Sequence, residues 1–255
     1  MTPVPLPRAF LDRPVAHRGL HGPGVPENSL AAARAAIAGG YGIELDVQPS
    51  ADGVAMVFHD YTLDRMTAAQ GPVSARSAAE LAAIPLNGGD EGIPTLAAFL
   101  ALVAGRVPVL IEVKSQDEFT GEHSGALEAA VARDLAGYTG PVAVMSFNPF
   151  SVAAMARLAP DVPRGLTTWS WGEDPDHPIP AALEDHLRAI PDYGPTGSSF
   201  ISHEAADLTS PRVAQLKAQG ATILCWTVIS ATMEAKARQV ADNVTFEQYL
   251  AAFPA

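Results

Sequence analysis

Apolar runs alternate with Ala-rich helical stretches along nearly the whole chain, the pattern of parallel strands joined by helical crossovers. The first apolar run, Val15-Ala16, leads into His17-Arg18-Gly19. A helix is expected over about Ser29–Ala38, closed by Gly39-Gly40, followed by a strand at Ile43–Val47. A helix at about Leu96–Ala104 leads to a strand at Val109–Val113, and one at about Ala126–Leu135 leads to a strand at Val142–Phe147. Further strands are expected at Arg164–Thr168, Ser199–Ser202, Thr222–Val228 and Asn243–Phe246. Eight strands are the number that closes a (β/α) barrel, in a chain of roughly 250 residues. No long linker or low-complexity tract divides the sequence, so residues 1–255 read as one domain. The Pro-, Asp- and Gly-rich segment Gly172–Pro195 reads as a long loop with a helix inside it.

One connection breaks the pattern. Only Gln48–Gly53 separate Val47 from the apolar run Val54–Phe58. Parallel strands need about a dozen residues to cross over, so the second run is expected to return antiparallel as a hairpin. With Asp52-Gly53 as a two-residue turn, paired numbers sum to 105 and Asp46 stands opposite His59. A slip of one or two residues would still deliver His59 near Asp46.

Composition narrows the function. Hydrophobic residues make up 48% and charged residues 17%, a globular balance. The formal charge is −12. A field of that sign repels nucleic acid and anionic membrane, so neither is an expected partner, and an anionic substrate would call for a local cation such as a metal ion. The single cysteine, Cys225, excludes an intramolecular disulfide and fits a reducing compartment. No leader-like segment or run of about 20 apolar residues stands out, so the expectation is a cytoplasmic protein without stable membrane insertion. No stripe specifies an oligomeric state.

The candidate chemistry lies on the strands. Glu44 and Asp46 are two residues apart, so both carboxylates face the same way from an apolar strand. Inside a barrel they would repel each other and resist desolvation, a conflict that a divalent cation removes. The alternative, outward solvated acids, fits poorly where a barrel's outer face meets helices. Glu112 lies in another apolar strand and shares a face with Lys114. It could form an ion pair with Lys114 or act as a third carboxylate ligand. An all-carboxylate set suits Mg²⁺ or Ca²⁺. His17 and His59 each end an apolar run, at the rim where this architecture carries its chemistry, and fit an acid and a base. Arg18 and Lys114 supply fixed positive charge for an oxyanion.

His17-Arg18-Gly19, Pro26-Glu27-Asn28-Ser29, Glu44-Leu45-Asp46-Val47 and Asp52-Gly53 followed by Val57-Phe58-His59-Asp60 resemble, in order, the motifs of the glycerophosphodiester phosphodiesterase family. Leu63-Asp64-Arg65-Met66-Thr67, Ile93-Pro94-Thr95-Leu96, Ile111-Glu112-Val113-Lys114, Ser146-Phe147 and Trp226-Thr227-Val228 continue the resemblance, which spans about residues 14 to 230. It implies a TIM barrel in which Glu44, Asp46 and Glu112 match the divalent-metal ligands and His17 and His59 the catalytic pair. Arg18 and Lys114 match the phosphate-contacting cations. Glu27 and Asn28 fall in the strand-one loop that orients the site and belong to the substrate-binding set, with Phe147 and Trp226 lining the cleft. The sequence departs from the family at Ile229, where Asn is common, and at the closing Thr-Asp signature, replaced by the stretch Asp242–Glu247. Both departures fall away from the metal ligands.

The resemblance implies metal-dependent hydrolysis of small glycerophosphodiesters to an alcohol and glycerol 3-phosphate. The neighbouring glycerol hydroxyl is commonly the nucleophile, giving a cyclic phosphate that water opens. The alternatives are a phospholipase-D-like lyase that stops at a cyclic phosphate on lysolipids, and a non-catalytic phosphodiester-binding module. The leaning is toward His17 as acid and His59 as base.

Overall fold

The computed structural model describes residues 2–116, 125–171 and 180–254. Eight parallel strands form its centre: β1 (Val15–Ala16), β2 (Gly42–Pro49), β4 (Val109–Val113), β5 (Val142–Ser146), β6 (Arg164–Thr168), β7 (Phe200–Glu204), β8 (Thr222–Val228) and β9 (Asn243–Phe246). A ninth, β3 (Ala55–Val57), runs antiparallel to β2. The parallel strands pair in chain order, and β1 pairs with both β2 and β9, so the sheet closes. This is the TIM barrel, with its hairpin return after the second strand.

Helices fill the crossovers. They are α1 (Ala9–Asp12), α2 (Leu30–Gly39), α3 (Ala78–Ala82), α4 (Leu96–Val103), α5 (Ala126–Leu135), α6 (Pro149–Leu158), α7 (Ala181–Ala189), α8 (Pro211–Ala218) and α9 (Ala231–Ala237). Their starts follow from capping chemistry. The side chains of Ser29, Thr95, Asn148, Ser210 and Ser230 each accept a backbone N–H of the first turn, and Pro149 and Pro211 stand where no N–H is needed. The helix expected within Gly172–Pro195 is α7; residues 172–179 of that segment lie outside the described residues.

Alternation along the strands separates two interiors. Ile43, Leu45 and Val47 of β2 and Val109, Ile111 and Val113 of β4 face the helices in the main core. Val15, Leu110, Ala143, Phe200 and Leu224 fill the barrel itself together with Phe10 of α1, which plugs its floor. The Asn243 side chain fixes that plug by donating to the carbonyls of Phe10 and Arg13, each at 2.6 Å. Gly165 must be glycine because a Cβ there would lie 2.4 Å from the Phe200 ring.

The hairpin register differs from the sequence expectation by one residue. Val47 pairs Val57, Gln48 pairs Met56 and Pro49 pairs Ala55, so paired numbers sum to 104. The loop has three residues, not two. Ser50 and Val54 close it, Gly53 occupies the left-handed region at φ 74°, and the Ser50 hydroxyl bonds to Asp52. Phe58, not His59, therefore bonds to Asp46, through the Phe58 N–H and the Asp46 carbonyl. After the hairpin, residues 58–95 fold around a small core of their own, with Met56, Phe58, Leu63, Val73, Leu81, Leu86 and Ile93 fully or almost fully buried.

Candidate active site

The C-terminal rim of the barrel opens into a pocket. His17, Arg18, Glu44, Asp46, His59, Glu112, Lys114, Phe147 and Trp226 all line it, together with Met145, Thr227 and Thr245. Nine side chains singled out in the sequence therefore converge. Glu27 and Asn28 stand behind the lining and hold it in place.

The acids come from neighbouring strands. Asp46 and Glu112 are register partners across β2 and β4, and Glu44 lies two residues back on the same face of β2. All three are buried, and each offers an oxygen within 4.8 Å of the others. Burial, then repulsion from Asp46 and Glu112, pushes the Glu44 carboxyl well above the ordinary carboxylate range. Asp46 moves the other way. Burial opposes its charge, but Lys114, His59 and Arg18, with a hydrogen bond from Asn28, hold it below that range. Oxygen donors at ~2.0–2.6 Å from a hard cation lie no farther than about 5 Å from one another, so this triad fits Mg²⁺ or Ca²⁺ in donor type and spacing. A dication would also relieve the repulsion that drives Glu44 upward.

The cations are fixed by the same acids. Lys114 Nζ lies 2.9 Å from Glu112 and 3.7 Å from Asp46. Burial disfavours the ammonium, but these two carboxylates outweigh it and raise Lys114 above its ordinary range. Glu112 is thus both an ion-pair partner of Lys114 and a member of the triad. Arg18 takes a left-handed backbone (φ 54°), which aims its N–H at Glu44 (2.9 Å). Its guanidinium reaches Glu27 at 2.8 Å. Arg18 Nε is buried, lies 3.5 Å from Asp46 and makes no hydrogen bond with the described residues. Asn28, also left-handed at φ 54°, clamps Asp46 from two sides: its amide donates to the carboxylate (2.9 Å) and its carbonyl accepts the Asp46 N–H (3.2 Å).

Each histidine is paired through Nδ1. His59 Nδ1 lies 2.7 Å from Asp60, and His17 Nδ1 lies 2.8 Å from Glu247. The latter carboxylate also lies 3.5 Å from His21, and the hydrogen bond with His17, with the His21 ring close by, holds it below the ordinary range. On the other side of the His17 ring, Nε2 faces Glu44 at 4.0 Å. Glu247 was not singled out as functional from the sequence. The departure from the closing Thr-Asp signature ends at this residue, and it bears directly on His17, not on a region remote from the chemistry. Ile229, the other departure, stands half exposed beyond β8.

The opposite wall is aromatic. The Phe147 ring meets Trp226 at 5.4 Å and Trp171 at 6.1 Å, both edge to face. Charged groups thus gather on β1, β2 and β4, while Met145, Phe147 and Trp226 come from β5 and β8. Cys225, beside Trp226, is fully buried with its thiol pushed up to about 12 by burial, and takes no part in the pocket.

Fold and pocket together define a TIM-barrel protein whose rim gathers a buried acidic triad that could hold a divalent cation, beside two histidines and two basic side chains. The glycerophosphoryl diester phosphodiesterase family model matches residues 17–247. The chain belongs to that family of phosphoric diester hydrolases. It is 34% identical over 161 residues to a glycerophosphodiester phosphodiesterase of Caldanaerobacter subterraneus subsp. tengcongensis, a match covering 60% of this chain and 65% of that protein, just under two thirds of its length. Among solved structures it is similar to an Oleispira antarctica phosphodiesterase in complex with the product sn-glycerol-3-phosphate, with TM-score 0.75, 25% identity and 94% of each chain covered. A glycerophosphodiester phosphodiesterase from Agrobacterium tumefaciens aligns with TM-score 0.65 and 26% identity over 92% of this chain and 95% of that one. Among the described residues no helix is long and apolar enough to cross a membrane.

Proposed function

We propose that this protein hydrolyses small glycerophosphodiesters to an alcohol and glycerol 3-phosphate, using one divalent cation and a histidine pair. The observation that carries this reading is the buried Glu44–Asp46–Glu112 triad lying in one pocket with two carboxylate-paired imidazoles. Family membership and the likeness to a product-bound phosphodiesterase support it.

Glu44, Asp46 and Glu112 would hold the cation, Mg²⁺ or Ca²⁺, which when bound supplies Lewis-acid polarisation of the phosphoryl group. Arg18 and Lys114, both lining the pocket, are the protein's own contacts for the nonbridging phosphate oxygens, and their charge balances what develops in the transition state. Glu27 and Asn28 hold Arg18 and Asp46 for that work.

The two histidines divide the proton transfers. With its Nδ1 hydrogen donated to the Asp60 carboxylate, His59 presents Nε2 as an acceptor. It takes the proton of the attacking hydroxyl as that oxygen bonds to phosphorus, first the neighbouring glycerol hydroxyl, which gives a cyclic phosphate, and then a water, which breaks the ring P–O bond to leave glycerol 3-phosphate. His17 is held through Nδ1 by Glu247, which leaves Nε2 turned toward Glu44 in the pocket. It gives its proton to the alkoxide as the phosphorus–oxygen bond breaks. Phe147 and Trp226 pack against the leaving alcohol.

The test is phosphorus NMR of glycerophosphodiesters incubated with the purified protein and Mg²⁺ or Ca²⁺. Glycerol 3-phosphate as the final product is the expected result. A cyclic phosphate that accumulates unchanged would replace hydrolysis with a lyase reaction. Absence of turnover with binding retained would reduce the protein to a binding module.

A further inference from the structure

His59 sits beyond the end of β3 with a partly exposed side chain, so strand pairing does not fix its ring. The ring is held through Asp60, and Asp60 is itself held by Arg65. The Arg65 guanidinium lies 2.6 Å (Nε to Oδ2) and 2.9 Å (Nη2 to Oδ1) from Asp60. The same group reaches Glu27 at 2.7 Å and 3.1 Å. Glu27 in turn binds Arg18. One guanidinium therefore joins the hairpin that carries His59 to the loop that carries Arg18, using a forked grip on each carboxylate.

The backbone under Arg65 is tied to its surroundings on both sides. Leu63 is fully buried in the small core of residues 58–95, and the Thr67 N–H and hydroxyl both bond to the Leu63 carbonyl. On the far side, the Asn87 amide donates to the Arg65 carbonyl, and its N–H donates to that of Met66.

We infer that Arg65 is a positioning residue: through Asp60 it fixes the tautomer and aim of the His59 ring, with Glu27 as its anchor. The inference rests on the function proposed above for the role of His59 in turnover, but not for the orientation of the ring. The Arg65 side chain is 48% exposed, so solvent screens part of what its ion pairs add to folding. A guanidinium that grips two carboxylates at the pocket edge also sets their geometry.

The experiment uses the full chain with ¹⁵N-labelled histidine, at a pH above the ordinary imidazole value of ~6.5. In the long-range ¹H–¹⁵N spectrum of the wild type, His59 (identified by its loss in His59→Ala) should show one tautomer with the proton on Nδ1. In Arg65→Gln the ring should average between tautomers, and kcat should fall at least ~10-fold with KM within ~3-fold, part of what a proton-transfer group is worth. Arg65→Lys, which can hold only one carboxylate well, should fall between the two and serves if the glutamine variant does not fold. A folded Arg65→Gln protein with an unchanged His59 spectrum would overturn the inference. Turnover of diester by the wild type tests the proposed function separately, since the spectrum needs no substrate.

Discussion

His17 and Glu247 stand 230 residues apart in the chain and 2.8 Å apart in the barrel. The contact exists because β1 and β9 are neighbours, with the His17 N–H donating to the Phe246 carbonyl at 2.9 Å. Glu247→Gln keeps the shape of the side chain but removes the carboxylate that holds the His17 ring through Nδ1. We expect kcat to fall by ~10- to 100-fold, a fraction of the ~10²–10⁴ assigned to acid–base catalysis, with KM little changed. Steady-state kinetics with glycerophosphodiesters measures it, and a loss confined to KM would contradict the pairing's role.

If His17 protonates the leaving oxygen, its loss matters only where the leaving group needs a proton. His17→Ala should lose at least ~10²-fold on an alkyl diester but far less on a p-nitrophenyl ester, whose phenolate departs unaided. His59→Ala should lose activity on both. Comparable losses for His17→Ala on the two substrates would reverse the assignment of acid and base.

The buried triad predicts a metal requirement readable without turnover. Chelation should abolish activity, and Mg²⁺ or Ca²⁺ should restore it. Cation at 100 times its Kd should stabilise the fold by about 2.7 kcal/mol, seen as a rise in Tm, and Glu112→Gln should weaken calorimetric binding. A Tm indifferent to both ions would remove the triad from consideration as their site.

Asp60 sets a pH dependence of stability. Burial opposes its charge, but bonds from His59 and Arg65 hold its carboxyl below the ordinary range. A depressed folded value stabilises the protein above the unfolded value of ~3.9, and that contribution is lost as pH falls through the folded value. The Tm difference between wild type and Asp60→Asn should therefore be full near neutrality and shrink as the pH drops below about 4. A difference that grows on acidification would have the wrong sign.

The barrel could be read in the sequence because each strand is a short apolar run between capped helices, and because Glu44, Asp46 and Glu112 are charges that such strands do not otherwise tolerate. The hairpin was legible, but its register was not. One extra loop residue, allowed by the left-handed Gly53 and the Ser50–Asp52 bond, separates the two possibilities. Glu247 was hidden for a different reason. Its meaning comes from closure of the sheet between first and last strands, which no local spacing encodes. Arg65 lay within a recognised motif, yet its partners Asp60 and Glu27 come together only once residues 58–95 have folded on their own small core.

The division of the pocket into a charged half and an aromatic half gives the mouth a polarity. A diester is itself lopsided, with an anionic centre between two different alcohols. Seated against Arg18 and Lys114 as proposed, it would lay only one of its arms along Phe147 and Trp226. The two ester bonds would then not be equivalent to the protein, so regiochemistry would be decided by which way round the molecule enters, before any bond is strained.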